Sequence, residues 1–177
     1  MNAVVVFESI FGNTQQIAKA IAAGLREKFE VTVVEVGEAP RDLSGVDLVV
    51  VGGPTHVWGM SRPMTRAGGR EEAAKKDMRP VSAGVGIRDW LAGLPRAEIA
   101  CAAFDTALER KGWLPVGSAA KGEAAALRSK GYRMLADPQQ FYVEGTDGPL
   151  MDGEVERATA WGRELAALAE TRREAGG

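Results

Sequence analysis

Short runs of β-branched and apolar residues recur along the chain, and they predict the strands of a sheet. Three of these runs are largely apolar on both faces of the strand they would form: Ala3–Phe7 (AVVVF), Asp47–Val51 (DLVVV) and Ile99–Phe104 (IACAAF). Strands of this kind are typical of the centre of a parallel sheet that is covered on both sides. Val31–Val36 contains polar interruptions and predicts a less buried strand.

A fifth strand is predicted in two pieces, Tyr132–Leu135 and Phe141–Val143, which Asp137-Pro138 separates. Helical patterns lie between the strands. In the first of them Ile17, Ile21 and Leu25 repeat every four residues and form one apolar face. Further helices are predicted at residues 88–94, from Ser118 to residue 130, and from residue 152 onward. Alternating strands and helices predict an α/β fold, a doubly wound five-stranded parallel sheet with helices on both faces.

The whole chain, residues 1–177, is predicted to form a single domain. Residues 54–87 are rich in Gly, Arg, Lys and Met, and they predict a long irregular insertion that contains one short helix within Arg70–Lys76. The tail after Ala169 (ETRREAGG) is predicted to be frayed.

Charge and composition narrow the range of functions, locations and bound groups to be expected. The 177 residues carry a net charge of −2, which gives no electrostatic argument for binding nucleic acid or an anionic membrane, since both need a basic surface. No apolar run is long enough to span a bilayer, and no signal peptide is evident, so we expect a cytoplasmic protein. The single cysteine excludes an internal disulfide, and the single histidine, His56, makes a metal site unexpected.

A small polar turn, SIFGNT (residues 9–14), ends the most apolar strand and opens the first helix. A helix N-terminus presents unpaired N–H groups and a partial positive charge, so this position favours an anion. Gly12 lets the backbone close around a ligand, and Ser9, Asn13 and Thr14 add neutral donors. The turn lacks the lysine of a Walker loop and the glycines of GxGxxG. The alternative is a simple strand-to-helix turn capped by Asn13.

Residues 5–21, VVFESIFGNTQQIAKAI, resemble the flavodoxin signature: two aliphatics, an aromatic, a spaced Ser or Thr, Gly-x-Thr, and then Ala and an aliphatic. The resemblance implies the flavodoxin-like strand order 2-1-3-4-5 and a bound flavin mononucleotide (FMN). It also implies that a cradle for the FMN phosphate is formed by Ser9, Ile10, Phe11, Gly12, Asn13 and Thr14.

Two further loops are implicated by the same resemblance. In the loop after the third strand, cofactor contacts are expected from Pro54, Thr55, His56, Trp58 and Gly59. Trp58 or His56 would cover the inner flavin face, and tryptophan offers the larger flat surface. After the fourth strand the expected contacts are Phe104, Asp105 and Thr106. Flavodoxins place an aromatic residue shortly after this strand, but here none follows until Trp113.

Three functions remain open from the sequence. The first is an electron carrier that transfers electrons through non-covalent FMN to an unidentified redox partner protein or small acceptor. The second is an FMN-dependent NAD(P)H:quinone-type oxidoreductase, and the third is an interaction module that has lost its flavin. Classical carriers are markedly acidic, so the near-neutral charge weighs against the first, whereas the intact SIFGNT turn weighs against the third. No residue is assigned a catalytic role.

Overall fold

The computed structural model describes residues 1–55, 59–109 and 117–176. The strands are β1 (Asn2–Phe7), β2 (Glu30–Glu35), β3 (Leu48–Pro54), β4 (Ala100–Leu108), β5 (Arg133–Met134) and β6 (Gln139–Val143). The helices are α1 (Asn13–Leu25), α2 (Pro63–Lys75), α3 (Ile87–Ala92), α4 (Ala119–Ser129) and α5 (Glu154–Gly176).

All strand pairs in the sheet are parallel, and the strand order is β2-β1-β3-β4-β5. β5 and β6 pair with successive parts of β4: Arg133 lies opposite Ala100, and Gln139 lies opposite Phe104. They are therefore two pieces of one edge position, as the interrupted sequence pattern predicts. The predicted α/β fold and its strand order are confirmed.

The apolar runs are buried because the sheet has a core on each face. In β1, Val5 packs toward the core formed with α1 and α5, and Val6 packs toward the core formed with α3 and α4. Alternate residues of a strand point to opposite faces, so both sets must be apolar. α1 and α5 approach closely at Gly24 and Gly162, where an added Cβ would lie 2.2 Å from a backbone carbonyl oxygen of the other helix.

Three segments differ from the sequence predictions. Residues 63–75 of the predicted irregular insertion form α2, which begins before the expected short helix at Arg70. β4 runs to Leu108 rather than ending at Phe104, because its polar residues Asp105 and Thr106 are buried and paired. α5 continues through Gly176, beyond Ala169, after which the sequence predicts a frayed tail.

The predicted cap of α4 is confirmed: Ser118 Oγ accepts a hydrogen bond from the Lys121 N–H at 3.2 Å. The same hydroxyl donates to Asp105 Oδ2 at 2.7 Å. We expect Ser118→Ala to lower the free energy of unfolding by about 1–2 kcal/mol, because the cap and one further hydrogen bond are lost. Urea unfolding measures this loss. Ser129→Ala, at the exposed end of the same helix, is the matched control and should change stability far less. Equal losses in the two variants would contradict the capping role.

Candidate functional site

The loop of residues 9–14, here called the phosphate loop, connects β1 to α1 at the carboxyl edge of the sheet. Its turn depends on Gly12, which precedes the helix with φ at +91°, a conformation that L-residues with a Cβ rarely adopt. The expectation that Asn13 caps the helix was wrong. The Asn13 side chain instead donates from Nδ2 to the Asp147 carbonyl oxygen at 3.1 Å, which ties the loop to the segment after β6.

The backbone N–H groups in the first turn of α1 have no hydrogen-bond partner among the described residues. No side chain caps the helix, and the first helical bond is made by the Gln16 N–H to the Gly12 carbonyl oxygen. The N–H groups of Asn13, Thr14 and Gln15 donate to no acceptor among the described residues. A helix N-terminus with free donors and no nearby side-chain acceptor is chemically suited to an anion.

The hydroxyl groups of the phosphate loop are buried and oriented by neighbours. Ser9 Oγ accepts the Gly12 N–H at 3.0 Å, and this bond closes the loop on itself. Thr14 Oγ1 and Thr106 Oγ1 lie 2.7 Å apart, which links the start of α1 to β4. Both Ser9 and Thr14 are almost fully buried by protein, so the loop is held in shape by contacts within itself and with neighbouring segments.

A cavity of about 470 Å³ opens beside the phosphate loop, between the ends of β1, β3 and β4. This volume lies within the range typical of small-molecule sites, roughly 300–1,000 Å³. Of the residues proposed from the sequence, the cavity is lined by Ser9, Ile10, Phe11, Asn13, Thr14, Pro54, Thr55 and Thr106.

The cavity also has walls that sequence reasoning missed. One face of α2 borders it with Thr65, Gly68, Gly69 and Glu72, and the remaining lining residues are Ala107, Leu108, Val143 and Thr146. Gly69 allows α2 to lie against the phosphate loop, since an added Cβ would come within 2.5 Å of Ile10 Cδ1. Pro63, at the first position of α2, is the sequence signal that could have located this helix.

Several proposed site residues lie elsewhere. Phe104 belongs to the core: its ring packs edge-on against Phe141 with centroids 6.2 Å apart, and it fills the space above Gly52. Phe104 does not line the cavity, and its expected contact with the cofactor stays a prediction. Gly59 follows β3 but does not line the cavity. His56 and Trp58 lie outside the described residues.

Asp105 supports the cavity wall without lining it, which refines its expected role. It is fully buried, and its Oδ2 accepts hydrogen bonds from Thr55 Oγ1 at 2.9 Å, Ser118 Oγ at 2.7 Å and the Ala120 N–H at 3.0 Å. Thr55 Oγ1 in turn accepts the Ala119 N–H at 3.0 Å. The end of β3, the end of β4 and the start of α4 are thereby joined into one unit.

Two more buried acids lie behind the same edge of the sheet. Glu8 Oε2 accepts bonds from Ser61 Oγ at 2.7 Å and from the Ile87 N–H at 2.8 Å, and burial raises the pKa of this carboxyl. Glu123 lies against Gly53 and is fully buried, with no hydrogen-bond partner for either carboxylate oxygen among the described residues. Burial raises the pKa of Glu123 well above its usual range, and the Asp105 and Glu8 carboxylates raise it further.

The described residues contain neither a cluster suited to a metal ion nor a helix suited to crossing a membrane. In residues 1–55, 59–109 and 117–176, no group of three or more His, Cys, Asp or Glu side chains is arranged to hold a metal ion. No helix in the same part of the chain combines the length and the apolar character that crossing a membrane requires.

Comparison with known proteins agrees with the fold. Residues 4–66 match the family model of the flavodoxin domain. A flavodoxin from the domain Archaea is 23% identical with a TM-score of 0.65, and the match covers 96% of this chain and 99% of that one. Oxidised flavodoxin 1 from Bacillus cereus is 18% identical with a TM-score of 0.65, over 94% of this chain and 98% of that one.

The Flv1 flavodiiron core from Synechocystis sp. PCC6803 is 17% identical with a TM-score of 0.62, and the match covers 97% of this chain but 36% of that one. Among curated protein sequences, none matches this chain. At these identities the solved structures establish the fold alone, and the family model matches residues 4–66 of the 177. The chain therefore has the flavodoxin-like fold, and its residues 4–66 are similar to the flavodoxin domain.

Proposed function

We propose that this chain binds one FMN non-covalently and transfers electrons through it. The observation that carries the proposal is the phosphate loop. The first N–H groups of α1 have no acceptor in the described part of the chain, and they stand beside a cavity that the buried hydroxyls of Ser9 and Thr14 also line. Uncharged donors at a helix N-terminus suit the terminal phosphate of FMN.

The phosphate loop fits this cofactor in charge as well as in shape. The phosphate loop contains no side-chain carboxylate that would repel a phosphate group, and Gly12 has no atom within 4 Å of the position a Cβ would take. The flavin would lie toward Pro54, Thr55 and Thr106, which line the same cavity. A bound FMN supplies the redox chemistry, while these residues hold and orient it. That Trp58 or His56 covers one flavin face remains a prediction.

A second candidate, an FMN-dependent oxidoreductase of the NAD(P)H:quinone type, is favoured by two observations. The net charge of −2 offers little electrostatic attraction for a basic redox partner. One face of α2 also borders the cavity, and a wall of this kind could position a small acceptor.

The two candidates and the flavin-free alternative differ in two measurements on the purified protein. We expect a yellow protein that releases one FMN per chain on acid treatment, identified by chromatography. A colourless protein with no titratable FMN site would leave the interaction module as the remaining function. If NADH or NADPH alone bleaches the yellow protein, the oxidoreductase replaces the carrier. If bleaching needs a separate reductase, the carrier is supported.

A further inference from the structure

A short segment after α2 is hydrogen-bonded to the phosphate loop. The Val81 N–H donates to the Ile10 carbonyl oxygen at 3.1 Å, and the Ser82 N–H donates to the Ser9 carbonyl oxygen at 2.7 Å. In the opposite direction, the Ser9 N–H donates to Ser82 Oγ at 2.9 Å. Ser82 is only 3% exposed, so water does not compete effectively for these bonds.

These bonds occupy the two carbonyl groups that would otherwise continue the helix. In an α-helix each N–H donates to the carbonyl oxygen four residues earlier, so Asn13 would pair with Ser9 and Thr14 with Ile10. Both carbonyl oxygens instead accept from Ser82 and Val81. The 81–82 segment thus holds residues 9 and 10 in a non-helical loop, and α1 begins only after Gly12, so the N–H groups of Asn13 and Thr14 stay available.

The segment is itself fixed to the protein. At the end of α2 the Met78 N–H donates to the Ala73 carbonyl oxygen at 2.9 Å, and Arg70 Nη1 donates to the Ala83 carbonyl oxygen at 3.2 Å. α2 and the 81–82 segment thus brace the phosphate loop from one side. On the other side, Ser9 Oγ closes the loop by accepting the Gly12 N–H.

We propose that Ser82 is a positioning residue for the phosphate loop and selectively strengthens binding of the phosphorylated flavin. The inference rests on the proposed function. Ser82 lies outside the residues that line the cavity, so it would act through Ser9. A loop already held in its binding conformation loses less freedom when the phosphate binds, and affinity rises accordingly.

The test compares FMN and riboflavin binding to the full chain and to Ser82→Ala by fluorescence titration. We expect the Kd for FMN to rise by about threefold to tenfold, the effect of one lost hydrogen bond, with the Kd for riboflavin unchanged within about twofold. Ser129→Ala is the matched control, because its exposed hydroxyl bonds only to the Ala126 carbonyl oxygen. An unchanged Kd for FMN, or equal weakening of both ligands, would overturn the inference.

Ser82→Cys keeps nearly the same volume but offers the Ser9 N–H only a weak acceptor. If Ser82→Ala does not fold, this variant tests the same hydrogen bond. We expect it to raise the Kd for FMN as Ser82→Ala does.

Hydrogen exchange separates this inference from the proposed function. If the wild-type chain binds no FMN, the proposed function fails, and the amides of residues 9–14 still report on Ser82. Faster exchange there in Ser82→Ala or Ser82→Cys than in Ser129→Ala supports the positioning role, and unchanged exchange refutes it.

Discussion

Replacing Ser9 by Ala together with Thr14 by Val should weaken FMN binding by roughly tenfold to a few hundredfold. Each hydroxyl can contribute one hydrogen bond to the phosphate, and bonds to a charged group are stronger than neutral ones. Ser9→Ala also removes the acceptor of the Gly12 N–H, and Thr14→Val removes the contact with Thr106 Oγ1. The phosphate loop therefore loses both ligand contacts and internal bonds.

Isothermal titration with FMN and with riboflavin measures this effect, and riboflavin affinity should barely change. A matched control is Ser129→Ala with Thr171→Val. These two hydroxyls are exposed, and among the described residues each donates to a carbonyl oxygen of its own helix. The control pair should bind both flavins as the wild type does. Equal weakening of FMN and riboflavin by the loop variant would mean that the loop does not hold the phosphate.

Glu123→Gln should make the protein more stable than the wild type at pH 8, because glutamine avoids the cost of ionising a carboxyl group that is fully buried. The folded-state pKa of Glu123 is raised, first by burial and then by Asp105 and Glu8. Its favourable contribution is therefore full below the unfolded-state pKa near 4.5 and is lost as pH rises through the folded-state value. Glutamine does not ionise and escapes this loss.

Urea unfolding at pH 5 and pH 8 tests the predicted direction of this change in stability with pH. The wild type should lose more stability between these pH values than Glu123→Gln, and the two proteins should differ least at pH 5. Glu98→Gln, at an exposed position, is the control and should follow the wild type. A less stable Glu123→Gln at pH 8 would show instead that the Glu123 carboxylate has a partner that stabilises its charge.

The fold was largely predictable because its strongest determinants are local. The valines of β1 and β3 are apolar on both faces, and a strand of that kind fits only the centre of a covered sheet. The interruption at Asp137-Pro138 correctly predicted that β5 and β6 are two pieces of one edge position. Ser118 correctly predicted the start of α4, because a capping hydroxyl acts within one helical turn.

The errors arose where tertiary contacts decide the structure. α2 contains Gly68 and Gly69, which weaken a helix in isolation, but Gly69 allows the helix to lie against Ile10. The predicted fourth strand ends at Phe104, because an aspartate such as Asp105 is more typical of a loop than of a strand. In the fold its carboxylate accepts three hydrogen bonds from β3 and α4. The burial of Glu8 and Glu123 has no sequence signature, since charged residues on strand ends and helices are usually exposed.

The central claim is that the phosphate loop recognises the phosphate of FMN, and the most direct measurement is titration of the wild-type chain with FMN and riboflavin under identical conditions. Saturation at one FMN per chain is predicted, with riboflavin bound at least about tenfold more weakly, because the donors of the loop have no phosphate to hold. Equal affinity for the two flavins, or no binding of FMN, would contradict the claim.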